Sequence, residues 1–226
     1  MELKDLIPDC LRDYIKSSIL MWEDFMNRHV VFSEFGSEIH TKTHCGRVLL
    51  FAELIAEKMC LDEETRDALA MASIFHDSRR LADGPDVGHG ERAAVYYKEF
   101  CESKSGMLPL PFDRRTFFAI AYHDRDDDLG IREISKYYND DEERYDNDEE
   151  RDGALLVYDI FKDSDALDRF RLGLADGLDV NFLRTDIARE LVPFAKETVI
   201  KSMDGNAPKD IAELIRRYQL KKHNSE

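Results

Sequence analysis

The sequence predicts an all-helical protein, and three observations carry that prediction. Apolar residues recur at intervals of three and four along most of the chain, the spacing that lines up one face of a helix. Alternation of apolar and polar residues, the mark of a half-buried strand, is nearly absent. Hydrophobic residues make up 43% of the 226 positions, with 13 Phe and 9 Tyr, so the helices have a core to pack around.

In chain order, residues 1–36 read as a helical flank, with Leu11, Ile15, Ile19 and Trp22 spaced for packing. Residues 43–59 place His44, Val48, Phe51, Ile55 and Met59 on one stripe, and 65–77 place Leu69, Ala72 and His76 on one face. The breaker run Asp83-Gly84-Pro85 separates these from a third helix over 89–101. Asp113 is set to cap a fourth, which puts Thr116, Ile120 and His123 on a common side. A fifth helix over 152–172 aligns Val157, Phe161 and Asp165. Two more follow: 182–203, with Pro193 as a point of kinking, and 208–222, with Ile211, Leu214, Ile215 and Tyr218 facing inward.

The stretch 126–152 breaks the pattern. It holds Asp-Asp-Asp and then Asp-Asp-Glu-Glu-Arg-Tyr-Asp-Asn-Asp-Glu-Glu-Arg-Asp. Like charges repel and stay solvated, so a partly mobile surface insertion is expected. An EF-hand calcium loop would need acids at alternate positions, a glycine at the sixth and a closing glutamate, a grammar this run lacks.

The formal charge of −16 speaks against a long nucleic acid as partner, because phosphate contacts dominate that affinity and call for a basic face. A small phosphorylated substrate stays open, since a bound cation with a few local Arg or Lys reverses the field at one site. Cys10, Cys45, Cys60 and Cys101 form no C-x-x-C pair and support neither a zinc ribbon nor a thioredoxin-like motif; they read as reduced thiols. Residues 1–11 lack the basic and apolar segments of a signal peptide, and no apolar run approaches the ~18 residues of a membrane span. The expectation is a cytoplasmic protein with no membrane partner, its oligomeric state open.

The chemistry-bearing residues are histidines and aspartates. His44 and His76 lie on core stripes, where a single imidazole is usually a hydrogen-bonded core residue. His76, however, is followed at once by Asp77 at a helix end. Neighbours within a helix point about 100° apart, but the backbone relaxes at a terminus and both side chains can approach one ion. Imidazole nitrogens with carboxylate oxygens suit Mn, Fe, Co, Ni or Zn, and carboxylates also favour Mg. A His/Asp set without cysteine argues against a closed structural zinc site, and leaves positions open to water.

The order His44, then His76-Asp77, then Asp165 resembles the H…HD…D signature of the HD-domain superfamily. The contexts are Thr43-His44-Cys45-Gly46-Arg47-Val48, Ile74-Phe75-His76-Asp77-Ser78-Arg79 and Lys162-Asp163-Ser164-Asp165-Ala166-Leu167-Asp168-Arg169, and the resemblance covers about residues 40–172. It implies a single helical domain over 1–226, with flanks at 1–36 and 181–222. It also implies a metal-dependent phosphohydrolase that acts on a small phosphorylated metabolite, a nucleotide in the family's manner, by attack of a metal-bound hydroxide. The ligands carried over are His44, His76, Asp77 and Asp165.

His89 in Gly88-His89-Gly90 and His123 in Tyr122-His123-Asp124 extend the match to members with two metals, in which Asp77 would bridge the ions. The alternative is that both histidines only line the pocket, so one or two ions remain open. The GYP signature of cyclic-dinucleotide phosphodiesterases is absent. Phosphate oxygens call for cations: Arg79 follows the HD pair, while Lys162 and Arg169 lie one turn either side of Asp165. Arg79 and Lys162 are the expected catalytic cations beside Asp77, with Arg169 as a further substrate contact; alternatively, Arg79 and Arg169 pair with nearby acids such as Asp168 and hold helices together. No G-x-S-x-G elbow, Walker A sequence or G-x-G-x-x-G is present. Two other functions compete: an HD-type di-iron oxygenase using the same six ligands, and a non-catalytic metabolite-binding module.

Overall fold

The computed structural model describes residues 1–33, 42–82, 85–103, 110–139, 148–172 and 177–203. Among these the protein is all-helical and no strand occurs. The helices are α1 (Asp13–His29), α2 (Lys42–Lys58), α3 (Glu63–Phe75), α4 (His89–Glu102), α5 (Arg114–Tyr122), α6 (Asp127–Asn139), α7 (Asp148–Leu167) and α8 (Asp186–Ser202). Short 3₁₀ segments lie at Leu3–Asp5, Asp168–Leu172 and Val180–Phe182.

The centre of the bundle is α2. Every residue from His44 to Ala56 is buried, so this helix is surrounded, as expected where no face is left for water. It packs on α1, α3, α7 and α8, and α5 joins α3, α4 and α7. Phe51, Phe75, Phe161, Tyr97 and Leu49 fill the interior. The apolar stripe of α1, Ile15, Ile19, Trp22 and Met26, closes one side, each side chain adding about 1.5–3 kcal/mol of burial.

Local chemistry fixes the helix starts. Asp62 accepts the amide of Thr65 at 2.8 Å and begins α3; Asp113 accepts those of Arg115 and Thr116 and begins α5 as expected; Thr185 accepts that of Ala188 and begins α8. The helix α8 starts four residues later than the periodicity indicates, because Val180–Phe182 is a separate 3₁₀ turn; it then runs through Pro193. The fifth expected helix ends as α7 at Leu167, and Asp168–Leu172 is 3₁₀ instead. The helix expected over 208–222 lies outside the described residues.

The acidic insertion is corrected by the structure. Of the stretch 126–152, residues Asp127–Asn139 form α6, which buries Ile134 and Tyr138 against Phe118, Ala154 and Tyr158, and 148–152 belong to α7. At Gly130 a Cβ would come 2.3 Å from the Tyr158 hydroxyl, so glycine lets α6 close on α7. The four cysteines are free. Among the described residues, no helix is long and apolar enough to cross a membrane.

Candidate metal centre

Four histidines and two aspartates, distant in sequence, meet where α2, α3, α4, α5 and α7 converge. His44 lies in the first turn of α2, and Asp165 in the last turn of α7. His76 caps the C-terminus of α3, its amide on Ala72 O, and the chain turns tightly so that Asp77 faces the same space. His89 is the first residue of α4, entered through Gly88 at φ 95°, a left-handed conformation that glycine adopts at little cost. His123 caps the end of α5. Gly90 brings these two helix ends together: a Cβ there would lie 2.5 Å from Ile120 O and 2.9 Å from His123 Nδ1.

The donors fall into two buried clusters that share Asp77. In the first, His44 Nε2 is 3.1 Å from His76 Nε2, 3.3 Å from Asp165 Oδ1 and 3.5 Å from Asp77 Oδ2, and His76 Nε2 is 3.8 Å from Asp77 Oδ2. In the second, His89 Nε2 is 2.9 Å from His123 Nε2 and 3.0 Å from Asp77 Oδ1, and His123 Nε2 is 3.8 Å from Asp77 Oδ1. Asp77 thus turns one carboxylate oxygen to each cluster. Asp165 is the open edge, with its side chain 26% exposed against 3% for Asp77.

Each imidazole is oriented through its other nitrogen. Nδ1 of His76 donates to Ser73 O at 2.9 Å, of His89 to Asp86 O at 2.7 Å and of His123 to Ile120 O at 2.7 Å. His44 differs: its Nδ1 lies 2.7 Å from Asp168 Oδ2. With Nδ1 donating, the lone pair of a neutral ring sits on Nε2, aimed into the cluster. Burial drives the pKa of His76 down to about 3, which keeps it in the neutral, ligating form. Burial also works against charging His123, but the Asp77 and Asp165 carboxylates outweigh it and raise its pKa.

The chemistry of the donor set fits divalent ions. Two Nε2 lone pairs facing one another at hydrogen-bond distance offer each other no proton. Donors ~2.1 Å from one ion at 90–110° are ~3.0–3.4 Å apart, close to most of the spacings here. His44, His76, Asp77 and Asp165 would hold one ion, and Asp77, His89 and His123 a second. Compared with protein-family models, curated proteins and solved structures, the chain matches none.

The expected cations make bonds outside the two clusters. Arg79 Nη1 donates to Val31 O and to Ser78 O, and its guanidinium stacks on Tyr96 at 3.3 Å, because the turn after α3 points it back toward the exit of α1. Arg169, in the 3₁₀ segment that follows α7, donates its Nε–H to Gly177 O at 2.9 Å. Lys162 Nζ bonds Arg125 O at 2.7 Å and Asp127 Oδ1 at 2.6 Å, tying α7 to the start of α6.

Sequence reasoning gave three residues no place beside the histidines: Asp168, Arg47 and Arg80. Asp168, fully buried, accepts from His44 and from Arg47 Nε and Nη2 at 2.5 and 2.9 Å. Burial opposes its ionisation, yet Arg47 and His44 hold its pKa well below the usual carboxylate range. Arg80 Nη1 lies 3.1 Å from His89 Nε2. A signal for two of these existed: Arg47 follows His44, and Asp168 follows Asp165, by three residues, which sets each beside its ligand.

Proposed function

We propose that the protein is a metal-dependent phosphohydrolase of the HD-domain type, acting on a small phosphorylated metabolite, a nucleotide in the first instance. The observation that carries this reading is Asp77, with one oxygen in each of two histidine clusters. Divalent ions bound there would supply an activated water at neutral pH and charge neutralisation for phosphoryl oxygens.

The chain's own residues do the rest. Asp77 links the clusters, so both are placed by one side chain. Ser73 O, Asp86 O, Ile120 O and Asp168 fix the four rings, so little reorganisation remains at the moment of reaction. The near-complete burial of His44, His76, Asp77 and His89 keeps bulk water from these donors, and the partly exposed Asp165 marks the side from which substrate enters.

Phosphate release should be measured from nucleoside mono-, di- and triphosphates and simple phosphoesters with added Mn. Asp77→Ala removes a donor from both clusters. Its activity should fall by more than the ~10–100-fold typical of losing a group that merely supports a ligand. Full activity in this variant would sink the reading.

One observation favours a second reading, an oxygen-activating di-iron enzyme. Arg79 and Arg169, expected to meet phosphate, commit hydrogen bonds to backbone carbonyls, while the six-donor set suits iron equally well. Oxygen uptake by iron-loaded protein that releases no phosphate from any substrate would select it; metabolite binding without either turnover would select a binding module.

A further inference from the structure

The two clusters differ in what stands against them. Arg80 is buried, and its Nη1 lies 3.1 Å from His89 Nε2 and 3.5 Å from Asp77 Oδ1. Since His89 Nδ1 donates to Asp86 O, Nε2 carries the lone pair, and the guanidinium N–H addresses the electrons a metal would take. Arg80 therefore engages two of the three donors of the second cluster with a fixed positive charge. An ion entering there must displace the guanidinium and then reside beside it, an unfavourable like-charge contact in a buried setting.

The first cluster is built the opposite way. It has four donors, and behind His44 stands a carboxylate, Asp168, which also accepts from Arg47 Nε and Nη2. A carboxylate hydrogen-bonded to a ligating imidazole makes the ring a stronger donor. At the second cluster the Nδ1 hydrogen bonds go to neutral backbone carbonyls; Asp124 Oδ2 lies 3.4 Å from His89 Nδ1 but accepts from the Gly88 amide at 2.5 Å.

We propose that Arg80 is a built-in competitor for the second cluster, so that the two clusters load in order, that of His44, His76, Asp77 and Asp165 first. This rests on the metal-centre reading above. Its consequence is a protein whose state, one ion or two, follows the metal concentration around it.

The probe is Mn²⁺ titrated into chelator-stripped full chain without substrate, followed by calorimetry, with bound metal counted by mass spectrometry. Wild type should show two steps, the second weaker by at least ~10-fold. Arg80→Gln should tighten the second step by about 10-fold and leave the first in place, whereas Arg80→Lys, which keeps the charge, should retain the gap. Two equal steps in wild type, or a gap unchanged in Arg80→Gln, overturns the proposal. Should Arg80→Gln fail to fold by circular dichroism, the wild-type titration still decides, because equal steps there suffice against it. Ordered loading without phosphate release keeps this inference and loses the hydrolase reading; a folded chain that takes up no ion loses both.

Discussion

Two buried carboxylates pair with arginines along α2, and they come out oppositely. Asp168 receives Nε and Nη2 of Arg47 and Nδ1 of His44, and these donors hold it ionised far below the usual carboxylate range despite full burial. Glu53, two turns further along α2 than Arg47, is bonded by Arg66 Nη2 from α3, and there burial dominates: its pKa rises to about 7. The residue types match; the number and alignment of donors differ. A buried acid stays charged when a guanidinium's two N–H groups and an imidazole converge on it, and drifts toward its neutral form when Arg66, with a hydroxyl, does not offset burial. The ionised acid stands behind a candidate metal ligand, and the drifting one belongs to the scaffold.

The largest effect should come from Arg47→Met. It leaves Asp168 as a buried charge short of its main partner, and denaturant unfolding of the metal-free protein should lose about 3–5 kcal/mol. If the loss stays within a few tenths of a kcal/mol, the clamp is not what keeps Asp168 ionised. Next is Asp168→Asn, which keeps the shape and removes the charge. The first step of metal binding should weaken by about 10–100-fold while the second stays in place; equal weakening of both steps would mean that Asp168 acts on the fold rather than on His44.

The smallest effect is at Glu53. Because its folded pKa lies above the unfolded one, the folded state binds its proton more tightly. Stability from this group is full below about pH 4.5, declines as pH rises and is lost through pH 7. Glu53→Gln should remove that decline, by at most ~1.4 kcal/mol per pH unit, while leaving metal affinity unchanged. A parallel decline in the variant would assign the pH dependence elsewhere.

The fold class was legible because helical spacing survives in the helices that carry the core, and the donors of the two clusters were singled out by the resemblance of their order along the chain to the H…HD…D signature. The bonds made by the cations were not legible. Placing Arg169 beside Asp165 assumed that the helix continues, whereas α7 stops at Leu167 and the following 3₁₀ turn advances side chains by a different angle. Arg79 follows the HD pair closely in sequence, but past a helix end a single residue decides which way a side chain leaves, and it is Arg80 whose Nη1 lies 3.1 Å from His89 Nε2. The helix α6 was hidden for another reason: its inward positions Ile134 and Tyr138 are few among acids, and composition masked the four-residue interval between them.

The division of donors along the chain has a consequence in time. Asp77, His89 and His123 have all been synthesised before Asp165 and Asp168, and the contact between His44 and Asp168 closes across 124 residues. At ~5–20 residues per second, the nascent chain carries the complete donor set of the weaker cluster for seconds before the stronger one exists. Order of birth is therefore the reverse of the proposed order of loading.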